Sequence, residues 1–146
     1  MTYEVIRFVI VTDFVAVDNI FSDKKISETF ENEYGNLTDL VQILIEDHRN
    51  QLLSNPKNRN LKSFIPTDDK MILSKLEPIL KAQLLATALN ECVNNKCFNI
   101  KSEILKMMEP AYMMQIIQRA IEETFKIIIN NAYFEEKDTH NIELMS

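Results

Sequence analysis

The chain has 146 residues, 46% of them apolar, and a formal charge of −6 from 16 basic and 22 acidic residues. Its size and apolar fraction suffice for one continuous core and set the expectation of a single domain, while the acidic balance, with only Lys57, Arg59 and Lys62 close together, excludes the basic stripe a nucleic-acid partner requires. A single glycine and four prolines leave few devices for tight hairpins or phosphate-cradling loops, so the fold class expected is all-α.

From Tyr3 to about Val17, the apolar set Val5, Ile6, Val9, Ile10 and Phe14 recurs at helical steps and predicts an amphipathic helix, although its β-branched run leaves a strand open. Arg7 and Asp13 interrupt this segment, which reads as neither a signal peptide nor a membrane span. Asp23 is placed to cap a short helix carrying Ile26 and Phe30, with Gly35 as its stop. Asn36 is placed to cap the next helix, whose stripe is Leu37, Leu40, Val41, Leu44 and Ile45, running to about Leu53. The polar stretch from Ser54 to Asn60 reads as a loop.

Thr67-Asp68-Asp69 marks a helix start, with acidic residues where the helix dipole favours them. Pro78 either opens a new helix or kinks the existing one. From Ile79 to Val93 the chain is at its most apolar, with Ala82, Ala86 and Ala88 beside Leu84, Leu85 and Leu89. A helix that is apolar around most of its circumference must be enclosed by others. Asn94 and Asn95 end it, and Asn99 can cap a short helix carrying Ile100, Ile104, Leu105 and Met108. Pro110 opens a last long helix to about Phe134, with Met113, Ile117, Ala120, Ile121, Thr124, Phe125 and Ile128 on one side. The expected architecture is a bundle of about seven helices around the buried 79–93 helix, forming one domain over 1–134 with a frayed tail at 135–146.

No chemistry-bearing motif emerges. His48 and His140 are the two histidines, and neither has a cysteine or carboxylate at a metal-binding or nucleophilic spacing; Asp47 and His48 read as a solvated polar face. Cys92 and Cys97 read as reduced structural thiols. Walker, dinucleotide and nucleophile-elbow patterns are absent, so no enzyme activity, metal or cofactor is expected. The six residues from Asn141 to Ser146 are too short for a membrane tail, and a soluble protein without an integral membrane segment is expected. Ile, Lys and Asn make up 44 residues, which points to an AT-rich genome and weakens any argument from isoleucine or methionine counts.

The segment Asp68 to Lys137 resembles the central hairpin and following helices of the Bcl-2 family, with Pro78-Ile79-Leu80-Lys81-Ala82-Gln83-Leu84-Leu85-Ala86 at the start of the central helix. It is closer to the poxviral Bcl-2-like proteins, which have largely lost the family's Asn-Trp-Gly-Arg motif; their first helix resembles Glu4-Val5-Ile6-Arg7-Phe8-Val9-Ile10. The basic residue of the motif would be Lys81, while Leu80 replaces its glycine and Pro78 its asparagine. The lost glycine puts the position of a bound helix in doubt, and lysine lacks the bidentate geometry of arginine.

That resemblance implies a viral inhibitor of apoptosis that sequesters the amphipathic death motif, Bcl-2 homology 3, of host pro-apoptotic Bcl-2 family proteins in a hydrophobic groove. Leu40, Ile43 and Leu44 would form one wall, and Met71, Leu76, Leu84 and Leu85 the other, with Lys81 pairing an aspartate of the partner helix. Each apolar member also reads as plain core, and Lys81 as a solvated helix start. Lys81→Glu is then expected to abolish peptide binding with little change in stability. The same fold can serve differently, since some poxviral relatives have a closed groove and bind innate-immune signalling proteins through other surfaces. An unrelated helical assembly subunit is a further alternative. The resemblance places the protein in the host cytoplasm, peripheral to mitochondria through its partners, and Glu77-Pro78 offers a hinge for a domain-swapped homodimer.

Overall fold

A computed structural model describes residues 14–96 and 99–145, with the backbone alone described at 14, 15 and 137–145. Among the described residues all regular structure is helical. Six α-helices and one 3-10 helix follow in order: α1 (Phe14–Phe21), α2 (Lys24–Asn36), α3 (Thr38–Ser54), the 3-10 helix (Pro56–Phe64), α4 (Asp69–Asn95), α5 (Ile100–Met107) and α6 (Pro110–Met145). The helix expected over 3–17, and with it the Glu4-to-Ile10 resemblance, lies largely outside the described residues; 14–17 form the start of α1.

Three helix starts are set by local side-chain chemistry. The Asp23 carboxylate accepts from the backbone N–H groups of Lys25 at 3.0 Å and Ile26 at 3.1 Å. Asp68 does the same for Lys70 and Met71 at the head of α4, and Asn99 accepts from Ser102 N–H at 3.1 Å at the head of α5. Each satisfies amide donors that have no partner within the helix itself.

Several boundaries differ from the sequence reading. Gly35 does not stop α2, because its φ is not positive and the helix carries on to Asn36. Asn36 therefore caps nothing. Leu37 alone links α2 to α3, with no side-chain cap, and the Thr38 hydroxyl donates to the Gly35 carbonyl at 3.0 Å. The expected loop from Ser54 to Asn60 gives way to the 3-10 helix at Pro56, because Pro56 supplies the fixed φ of a first helical position and the Asn55 side chain accepts from Lys57 N–H at 3.0 Å. Pro78 lies inside a continuous α4, on an exposed face, where its missing N–H and ring meet solvent rather than a packed neighbour. Glu77-Pro78 is thus helix and not a link. Helix α6 continues past Phe134 to Met145, through a segment with no glycine or proline and with helix-favouring Glu135 and Glu136.

Helix α4 is the axis of the bundle. It packs chiefly against α6 and α5, with α1 against another side. Ile79, Leu80, Ala82, Gln83, Leu84, Leu85, Ala86 and Ala88 are all buried, so this stretch is enclosed around nearly its whole circumference. The facing stripe of α6 runs through Met113, Ile117, Ile121 and Phe125, each at most 1% exposed.

Candidate functional site

Lys81 projects from the enclosed part of α4, and the structure gives its charge three partners. Its ammonium lies 3.4 Å from a carboxylate oxygen of Glu77, one turn earlier on the same helix. The cation also sits 5.1 Å from the ring centre of Phe30 on α2 and 5.6 Å from that of Phe21 on α1. These rings meet edge to face at 5.6 Å, and Tyr34 stacks on Phe30 at 5.2 Å. Burial pushes the Tyr34 phenol above its ordinary value, and the charge of Glu77 acts in the same direction. A second tie holds this corner together, because the Lys101 ammonium of α5 lies 3.1 Å from the Asp23 carboxylate between α1 and α2.

The Lys81 side chain is 28% exposed, α1 packs against the helix that carries it, and Phe30 reaches it from α2. An aspartate on a partner helix would have to displace Glu77 and compete with the aromatic pair. Lys81 is therefore no solvated helix start: it lies well inside α4 and joins three helices. Replacing it with glutamate would set two carboxylates one turn apart, so a loss of stability is expected beside any loss of peptide binding.

The apolar residues named for the groove separate into two groups. Leu76, Leu84 and Leu85 are 0% exposed and belong to the main core. A partner's side chains reach them only if helices part. Leu40, Leu44 and Met71 are half-buried, Leu44 packs against the core, and Ile43 is 56% exposed on the outside of α3. Lys81 is brought to Phe21, Phe30 and Glu77, and none of the groove residues lines the cavities whose walls include Tyr112, Phe125 and Met114.

Sequence reasoning passed over Phe21, Tyr34 and Glu77. Two signals could have found them: Glu77 and Lys81 are one turn apart with opposite charge, and Phe30 and Tyr34 share one helix face. The other departure is His48. The expected solvated face holds for Asp47, which is exposed, but His48 is half-buried and its ring meets Phe125 of α6 at 5.0 Å.

Among the described residues no group of side chains is arranged to hold a metal ion, and no helix is long and apolar enough to cross a membrane. A cavity of about 320 Å³ opens between α4 and α6, with Glu91, Tyr112 and Arg119 in its wall. Comparison with family models, with characterised proteins and with solved structures finds no match for this chain.

Proposed function

We propose that this chain is a Bcl-2-like protein of the viral, closed-groove kind, which acts by binding a signalling protein of its host and carries no catalysis. The observation that carries this reading is the enclosure of α4: Leu76, Leu84 and Leu85 are fully buried, and Lys81 is engaged by Glu77, Phe21 and Phe30. A buried central helix supports the architecture that the resemblance implies, and its covered face supports binding through outer surfaces. Such a protein would work in the host cytoplasm.

Sequestration of a death-motif helix is the second reading. The apolar strip of Leu40, Ile43 and Leu44 on α3 favours it, since Ile43 in particular offers an anchor point to a partner. It requires α1 and α2 to leave Lys81, which exposes Phe21 and Phe30 as well as the leucines beneath.

Titration of the folded protein with a panel of death-motif peptides separates the two. With the groove closed, no peptide binds at micromolar concentration. Saturable micromolar binding that is lost on Ile43→Ser, a substitution at an exposed position, overturns the closed-groove reading in favour of the second.

A further inference from the structure

His48 lies on α3 where that helix and the 3-10 helix meet α6. Its ring packs edge to face on Phe125, at 5.0 Å between centres and 72° between planes, and Phe125 is 0% exposed. Nδ1 of His48 is shut off from solvent and has no hydrogen-bond partner among the described residues. On its outer side the ring borders a cavity of about 360 Å³ whose apolar wall is Leu52, Leu61, Phe125 and Ile129.

We propose that His48 is a proton-operated latch on the contact between α3 and α6. Neutral, the ring stays packed on Phe125 and holds α3 and the 3-10 helix onto α6. Protonated, it carries an N–H at both nitrogens, and the one at Nδ1 faces no acceptor. The imidazolium regains hydration only by turning out of the contact, which frees the face of α6 that carries Glu122, Phe125 and Ile129.

The charged neighbours do not supply the missing partner. From α6, Glu122 and Lys126 both line the cavity; the charge of Glu122 favours the imidazolium, but neither residue gives Nδ1 a hydrogen bond. From the 3-10 helix only the uncharged Asn58 and Leu61 reach it, and the Asn58 amide already donates to the Leu52 carbonyl at 3.1 Å. No residue of α2 lines it. On α3 itself, Arg49 is turned away to the Pro66 carbonyl at 3.0 Å and to Asp69. Burial accordingly pushes the imidazole below its ordinary value, against the smaller opposing effect of Glu122.

The sign of the pH response follows. An unfolded chain takes up the His48 proton near 6.5, before the folded chain does, so stability present above that pH is lost as pH falls toward the lower folded value. The capping carboxyl of Asp23 acts in a separate window. The Ile26 N–H, followed by Lys101, holds it below 3.8, and its contribution is lost only as pH falls through that lower folded value.

The test is an NMR titration of the full chain, which has two histidine ring signals to follow, with His140→Gln to assign them. His48 is expected to titrate below 6.5. Its protonation should be accompanied by faster amide exchange in α3, the 3-10 helix and the facing turns of α6, while α4 stays protected. The melting temperature should be a few degrees lower at about pH 5.5 than at about pH 7.5, and His48→Phe, which keeps a ring against Phe125, should remove that difference. Titration at or above 6.5 in the wild-type chain overturns the proposal, as does a His48→Phe protein that keeps the full pH dependence. If His48→Phe does not fold, the wild-type titration and exchange data decide alone.

Discussion

The Lys81 ammonium lies 5.1 Å from the centre of the Phe30 ring while its other side meets Glu77 at 3.4 Å, so one cation joins α2 to α4. The rings of Phe21 and Phe30 present their negative faces to that charge.

Lys81→Met keeps the stem and loses the charge, and should lower stability by about 1 kcal/mol or less, because the ion pair with a half-exposed Glu77 is well screened. Lys81→Glu adds repulsion at the spacing of one helical turn and places a carboxylate under the rings, and should lower stability by roughly 1–3 kcal/mol. Urea unfolding of both variants checks the order. Equal losses would mean that the repulsion introduced by glutamate contributes nothing at this corner, and no loss in Lys81→Met would mean that the charge does not hold it.

Gln83 is 1% exposed in the enclosed part of α4, and neither atom of its side-chain amide has a hydrogen-bond partner among the described residues. Its backbone carbonyl accepts from the Thr87 hydroxyl at 2.7 Å. A buried amide without partners destabilises by about 1–3 kcal/mol, so Gln83→Leu, close in volume, should raise stability by roughly 1 kcal/mol. The midpoint of chemical denaturation should move upward. A downward shift of similar size would show that the amide has a partner in the native protein.

Lys96 ends α4 in the left-handed region, at φ 53° and ψ 35°, with its N–H donating to the Cys92 carbonyl. A side chain there crowds the backbone, and glycine does not. Lys96→Gly should therefore stabilise the protein by about 1 kcal/mol, whereas Lys96→Val should destabilise it by at least as much. Thermal melts of the two variants should move in opposite directions.

What was legible in the sequence had short-range causes. Asp23 and Asn99 cap the helices they were expected to cap, and α4 starts at the Thr67-Asp68-Asp69 signal with Asp68 as its cap, because a short polar side chain two or three residues ahead of free amides leaves little choice. The burial of α4 was legible because the 79–88 stretch carries almost no polar face. Glycine and asparagine misled at positions 35 and 36, since either residue fits a helical last turn as readily as a break in it. The 3-10 helix left little periodic trace, as Leu61 and Phe64 are its only large apolar side chains and Asn55-Pro56 is the one signal that announces its start. Leu76, Leu84 and Leu85 look the same in sequence whether they line a groove or fill a core, because both require an apolar residue. The His48–Phe125 contact joins residues far apart in the chain, and nothing beside either one marks the other.

Amide hydrogen exchange along α4 tests the enclosure of this helix most directly. With α1 and α2 held over Lys81, the amides from Leu80 to Ala88 should exchange only through global unfolding, with protection tracking the free energy measured by denaturant. Exchange of these amides through a sub-global opening well below that free energy, together with loss of protection in α1 and α2, would contradict the closed groove.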